Sequence, residues 1–229
     1  MEQHSIKVIA RIRSDFKTKF GVPRQSGLVE ALRARIVFEP EYRDPNALVG
    51  LDGYSHLWLI WQFSTVAAEY AAGKSWRPTV RPPRLGGNAR RGVFATRSPY
   101  RPNALGLSCV ELAGIENGDI LVKGADLLDG TPIFDIKPYL PYVDAHPEAR
   151  GGFTEQTASY ALKVNCPQPL LDKLPKEKQA ALLGVLKNDP RPAYQHDPDR
   201  VYGLSFAGLR VRFTVDGTTL TVTAVEPEE

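Results

Sequence analysis

Through residue 150 the apolar positions repeat mostly with period two, the spacing of strands that bury one face, rather than with the 3.6 of helices. Ile6, Val8, Ala10 and Ile12 alternate, and 34–38 is short and β-branched. Segment 54–63 (YSHLWLIWQF) is apolar in both alternating sets, which predicts a strand buried on both faces. Segments 93–96, 105–115 and 119–125 continue the series, with Asn117-Gly118 as a tight hairpin between the last two. Helical spacing is confined to 26–35 (SGLVEALRAR) and 65–72 (TVAAEYAA). The long helices that a doubly wound sheet needs between its strands are missing, and no G-x-G-x-x-G follows a strand; Gly86-Gly87 runs into Asn88-Ala89-Arg90. An antiparallel β-barrel is the expected fold.

The pattern changes after Gly151-Gly152. Segment 157–164 reads as one more strand, Pro167 and Pro169 mark a linker, and 175–187 (PKEKQAALLGVLK) is a helix with proline at its start. Strands 209–215 and 218–225 flank Asp216-Gly217, a hairpin dipeptide. The expectation is a mainly β protein, with a barrel domain over 5–150 and a small α+β domain over 157–229.

Composition narrows the class. Of 229 residues, 42% are apolar and 24% charged, which excludes wholesale disorder. Cys109 and Cys166 are too few for a disulfide scaffold or a four-thiolate zinc site. Segment 1–14 has no long apolar core, and no run approaches about 20 apolar residues, so neither a signal peptide nor a membrane span is expected. The expected location is cytoplasmic. The net charge of +3 hides a contrast: between Tyr70 and Val110 lie Lys74, Arg77, Arg81, Arg84, Arg90, Arg91, Arg97 and Arg101, with no acidic residue. The rest of the chain carries 21 basic and 26 acidic residues. Seven of those eight cations are arginine, which suits planar contact with phosphate and stacking on bases. Prolines 78, 82, 83, 99 and 102 keep this stretch out of regular helix, so it reads as Arg-rich loops held between strands that bind a polyanion.

His4, His56, His146 and His196 show no metal-ligand spacing, no G-x-S-x-G is present, and Cys109 lies in an apolar strand as a core residue. His56 sits on the apolar strand 54–63, and a histidine there is more often a satisfied core residue than a catalytic one. Asp126, Asp129 and Asp135 bracket DLLDGTPIFD, which reads equally as a plain turn. The run IKPYLPY carries Lys137, Tyr139 and Tyr142 along an extended barrel edge. The loop Pro23-Arg24-Gln25-Ser26-Gly27 would let backbone approach a small ligand closely.

Four blocks, VPRQSGL (22–28), GYSHLWLIWQF (53–63), WRPTVRPPRLGGNARRGVFATRSPYRPNALGLS (76–108) and DLLDGTPIFDIKPYLPY (126–142), resemble the TsaA-like family. Its bacterial members methylate N6 of threonylcarbamoyladenosine at position 37 of tRNA. The resemblance spans roughly 5–150, and DPRPAYQ (189–195) resembles the C-terminal part of the bacterial members. It implies an S-adenosylmethionine-dependent methyltransferase on a non-Rossmann barrel, a homodimer, and tRNA carrying threonylcarbamoyladenosine as partner. Carried over by motif, the cofactor would meet Pro23, Arg24, Gln25, Ser64, Thr65, Arg97, Leu107, Asp126, Leu127, Leu128 and Asp129. Many relatives place a histidine after the SHLW strand, where this chain has Ser64 and Thr65. The proton acceptor candidates are His56, Asp126 and Asp129, and the RNA face would comprise Arg84, Arg90, Arg91, Arg97, Tyr100, Arg101 and Lys137. The alternative is a non-catalytic RNA-binding barrel, which would share the Arg-rich face but need no cofactor segments. A small-molecule methyltransferase would leave the basic stretch without a purpose.

Overall fold

A computed structural model describes residues 2, 4–82, 89–157, 159–192, 195 and 197–228. In chain order the first half forms β1 (Ala10–Arg13), β2 (Arg33–Phe38), β3 (His56–Gln62), helix α1 (Ser64–Ala71), the short strands β4 (Thr79–Val80) and β5 (Arg91–Gly92), β6 (Leu105–Glu116), β7 (Asp119–Lys123), β8 (Pro132–Pro138) and the single turn α2 (Pro141–Asp144). Six of these strands close into a barrel in the order β1-β2-β7-β6-β3-β8, every neighbouring pair antiparallel. Alternation decides what fills it. Leu57, Leu59 and Trp61 point inward from β3 to meet Ile12, Ile36, Val110, Ile120, Val122 and Ile133. Each aliphatic side chain withdrawn from water in this way contributes about 1.5–3 kcal/mol. The turn at Asn117 and Gly118 has the positive φ values, 52° and 78°, that a two-residue hairpin requires.

The second half forms β9 (Lys163–Asn165), α3 (Gln168–Leu171), α4 (Lys176–Lys187), β10 (Tyr202–Phe206), β11 (Leu209–Asp216) and β12 (Thr219–Pro227). They build a sheet ordered β10-β11-β12-β9, with β9 parallel to β12 and the rest antiparallel. α4 packs on it through Ala181, Leu182, Val185 and Leu186.

The β1–β2 connection belongs to this second core. Phe16, Val29 and Leu32 are buried in it, Phe16 meeting Phe206 edge-on at 5.5 Å between centroids. Lys178 of α4 closes an ion pair on Asp15 at 2.6 Å. Gly21 lies against Leu204, and a Cβ on Gly184 would come within 2.6 Å of Val29, so neither position has room for a side chain. The loop bearing Pro23, Arg24 and Gln25 is therefore held by barrel and second sheet together.

Five local expectations are corrected. Segment 26–35 has no helix: Gly27 takes φ 78° and its N–H bonds the Gly124 carbonyl at 2.9 Å, while Val29 and Leu32 are drawn into the second core. Segment 93–96 is a 3-10 turn, not a strand. The alternation at 6–12 becomes strand only from Ala10 onward, with Ile9 hydrogen-bonded through its backbone to Ile133 and Glu39. The proline-spaced run after 130 contains a full barrel strand, β8, which its prolines permit because they stand at its first and last positions. Segment 54–63 is buried on one face only. The outer set (His56, Trp58, Ile60, Gln62) is half-buried, and the Trp58 indole donates to Asp144 Oδ2 at 3.0 Å.

Candidate active site

Three chain segments converge beside the inner face of β6. Ser108 points inward, 1% exposed, and its hydroxyl donates to Asp126 Oδ1 at 2.6 Å while accepting the Trp61 indole N–H at 2.9 Å. The Ser26 backbone amide lies near enough to the Asp126 carboxylate to favour its charged form. Arg97 Nη1 donates to Gln25 Oε1, and its charge reaches Asp126. Burial pushes the Asp126 carboxyl above its ordinary value, against the pull of the Ser108 and backbone hydrogen bonds and the Arg97 charge. The result is a half-buried carboxylate with an elevated proton affinity, flanked by an exposed arginine and a glutamine amide. Such a group holds polar hydrogens or accepts a proton.

Trp61 and Ser108 belong to this cluster and carried no expectation from sequence, while Ser26 was expected only as part of the 23–27 loop. The legible signal was parity: in the inward set Gly106, Ser108, Val110 of β6, the serine is the polar member. Gly106 is equally tied to the cluster, because a Cβ there would overlap the Trp61 ring.

The other sequence candidates are placed elsewhere. His56 projects from the outer face of β3, opposite Glu111, and its Nδ1 lies 2.9 Å from the Ser55 hydroxyl. Strand parity puts it on the opposite face from Trp61 and Ser108, so it does not join their cluster. Asp129 accepts the Ser14 amide at 3.1 Å and stands 3.8 Å from Arg13, so its carboxylate secures the 126–130 turn to the end of β1. Leu127 fills the barrel core and Leu128 packs on the second core, so of these four side chains only Asp126 joins Ser108. Leu107 faces outward, 55% exposed. Ser64 and Thr65 form the exposed first turn of α1. Pro23 is buried, and Arg24 donates to the Arg191 carbonyl at 3.3 Å. Arg191 in turn makes three hydrogen bonds to the Asp189 carboxylate, two from its guanidinium at 2.9 and 3.0 Å and one from its backbone N–H at 3.2 Å, with the Tyr160 hydroxyl on the same carboxylate at 2.7 Å. Ala193, Tyr194 and His196 of that region lie outside the described residues.

Of the expected RNA face, Arg90, Arg91 and Arg97 are exposed; Arg84, with Gly86, Gly87 and Asn88, lies outside the described residues. Arg91 sits over the Phe153 ring at 5.8 Å. Arg101 donates to the Val93 and Thr96 carbonyls at 3.2 and 2.7 Å, so it shapes the 93–96 turn rather than presenting a free guanidinium. Tyr100 is half-buried beside Tyr70. Lys137 pairs with Asp135 at 3.1 Å and stands opposite Trp58 in the β3–β8 register. Two surface hollows, one lined by Ser14, Arg33 and Lys178 and one by Leu48, Gly50 and Ile115, share no residue with the cluster. Among the described residues no group of three His, Cys, Asp or Glu could hold a metal, and no helix is long and apolar enough to cross a membrane.

Two family models match the chain: the tRNA-methyltransferase O N-terminal domain over residues 11–145 and the TrmO C-terminal domain over 159–228. The chain belongs to the TrmO family. A tRNA (adenine(37)-N6)-methyltransferase of Escherichia coli K12 is 39% identical over 99% of this chain and 100% of its own length. A putative S-adenosylmethionine-dependent methyltransferase, RcsF, of Pseudomonas aeruginosa is 40% identical over 92% of each chain. The crystal structure of TrmO from P. aeruginosa superposes with a TM-score of 0.80 and 33% identity, covering 100% of this chain and 99% of the other. Gln25, Trp61, Arg97, Ser108 and Asp126 all fall within the TrmO N-terminal match, and the Asp189–Arg191 pair within the C-terminal one.

Proposed function

We propose that this chain methylates N6 of threonylcarbamoyladenosine at position 37 of tRNA, as a cytoplasmic homodimer. At the coarser level it is an S-adenosylmethionine-dependent tRNA (adenine37-N6)-methyltransferase. The observation that carries the reading is the convergence of Gln25, Arg97, Ser108 and Asp126 within the segment matched by the family model.

The donor set suits the cofactor. Asp126 offers a carboxylate to hydroxyl or amino hydrogens, the Gln25–Arg97 pair offers an amide and a cation, and no atom lies within 4 Å of where a Cβ of Gly27 would stand. Bound S-adenosylmethionine supplies an electrophilic methyl group, which is the difficult part of the chemistry. The protein's share is positioning, because the N6 lone pair is delocalised into the adenine ring and reacts only when held in line. Asp126 is the proton acceptor in this reading, its raised pKa bringing it closer to working pH than an ordinary aspartate. Arg90, Arg91 and Arg97 supply exposed charge for the anticodon-stem phosphates.

Dimerisation is supported by the outer faces of β3 and β6. Trp58 stands against Cys109, Ile60 against Leu107 and Gln62 against Leu105, with Leu105 37% and Leu107 55% exposed. An apolar strip at the centre of a barrel wall is the composition of an interface core. Leu107→Glu should yield a monomer in sedimentation velocity.

The deciding assay mixes full-length protein and labelled S-adenosylmethionine with two tRNA pools, one bearing threonylcarbamoyladenosine and one lacking it, followed by nucleoside mass spectrometry. Methyl label on the modified adenosine, in the first pool alone, is the expected result. Label in both pools would remove the threonylcarbamoyl requirement, and absence of label together with absence of cofactor binding would leave an RNA-binding barrel.

A further inference from the structure

Phe94 stands 73% exposed at the tip of the 93–96 turn, and Trp76, 41% exposed, lies beside it with ring centroids 6.3 Å apart and planes inclined by 28°. The arrangement is built, not incidental. Val93, 1% exposed, anchors the turn, and the Thr96 hydroxyl and N–H both bond the Val93 carbonyl, at 2.9 and 3.1 Å. Arg101 adds its two hydrogen bonds to the same turn and lies 5.8 Å from the centre of the Phe94 ring. The Val93 N–H bonds the Pro78 carbonyl at 2.9 Å, and β4 pairs with β5, so the segment carrying Trp76 is tied to the turn carrying Phe94.

Burying a phenylalanine side chain contributes about 1.5–3 kcal/mol, so a turn braced to hold one in water calls for a partner. The charge around it identifies the chemistry. Both rings lie in the stretch from Tyr70 to Val110, which has eight basic residues and no acidic one, and Arg77, Arg91 and Arg97 are exposed. A protein partner would demand a matching acidic surface; single-stranded RNA supplies both the anion and the flat apolar face. Stacked aromatics within an arginine-lined surface are the usual means of holding unpaired bases. Arg97, three residues beyond Phe94, reaches Gln25, so the pair adjoins the cluster around Asp126.

We propose that Trp76 and Phe94 form a stacking platform for an unpaired base of the anticodon loop, beside the adenine that is methylated. This rests on the tRNA reading above, and the platform is separate from the groups that hold cofactor. Arg101 positions the platform by bracing its turn.

The test uses the full-length protein, methyl-transfer kinetics on tRNA, and binding of a synthetic anticodon stem-loop RNA. Phe94→Ala and Trp76→Ala should each raise the tRNA KM and the stem-loop Kd by about thirtyfold, the middle of the range for one lost base stack. Cofactor affinity, oligomeric state and the dependence of log Kd on log salt should stay unchanged, since no phosphate contact is removed. Phe94→Trp should restore binding to within about twofold, and Phe94→Leu should not, because leucine keeps apolar area without a π face. Wild-type stem-loop affinity in Phe94→Ala overturns the platform, as does full rescue by leucine. A shift in sedimentation with unchanged RNA affinity would show instead that a second copy covers these rings, and also overturns it. If the wild-type protein fails to methylate either tRNA pool, the function reading fails on its own, and the stem-loop measurement still decides the platform.

Discussion

Asp189→Asn isolates one buried interaction with little else disturbed. Asp189 has a positive φ of 52°, a conformation that asparagine tolerates as well as aspartate, so the backbone pays no new strain. The pair it forms with Arg191 leaves the two side chains only 12% and 7% exposed, and the Arg191 backbone N–H and the Tyr160 hydroxyl add two further hydrogen bonds to the carboxylate. Neutralising Asp189 strands a guanidinium out of water, for which about 3–5 kcal/mol is typical; asparagine keeps one acceptor, so about 3 kcal/mol is expected. Arg191→Met should cost a similar amount by leaving the Asp189 carboxylate without its counter-charge. The double variant should recover about 2 kcal/mol relative to the sum, because both charges go together. Urea unfolding followed by circular dichroism at pH 7 measures all three.

The same pair has a pH signature. Burial raises the Asp189 pKa, but the hydrogen bonds and charge of Arg191 and the Tyr160 hydroxyl outweigh it, so the folded value lies below the ordinary one. Stability from this group is therefore present above the ordinary carboxylate value and is lost as pH falls through the lowered folded value, where wild type and Asp189→Asn should converge. Since the Arg191 carbonyl holds Arg24, Asp189→Asn should also weaken S-adenosylmethionine binding. A loss of less than about 0.5 kcal/mol, or additive single variants, would refute the reasoning, since surface pairs behave that way.

Three further outcomes follow from the cluster on β6. Ser108→Ala removes the acceptor of the buried Trp61 N–H and should cost about 1–3 kcal/mol in denaturant unfolding. It should also raise the Asp126 pKa further, moving the acid limb of the kcat–pH profile to higher pH. For Asp126 the folded pKa exceeds the unfolded one, so stability is greatest below the ordinary carboxylate value and declines as pH rises toward the raised folded value; Asp126→Asn should remove that decline in a pH series of unfolding measurements and should abolish the acid limb. Gly106→Ala should destabilise by about 1–3 kcal/mol, because the new methyl displaces the Trp61 ring that the serine anchors, and the loss should shrink when Trp61 is already a smaller residue.

Local signals in the chain were enough to place most strands. Alternation marked β6 and β7, a β-branched run marked β2 and a continuous apolar run marked β3, and Asn117-Gly118 and Asp216-Gly217 marked two hairpins, because these depend on nearest-neighbour sterics and on burial of whole strands. The basic stretch and the motif blocks likewise identified the family without coordinates. What failed did so where a distant segment overrode local preference. Segment 26–35 has helical spacing, yet Val29 and Leu32 are claimed by a core formed more than a hundred residues later. Only the tertiary structure decided the site. Which of the two alternating sets of β3 faces inward set His56 apart from the Ser108 cluster and Trp61 within it, and closure of the barrel set Ser108 against Asp126 while turning Asp129 toward Ser14. A side chain's partner across a closed sheet is fixed by register and closure, which depend on all six strands at once and are not written in any one of them.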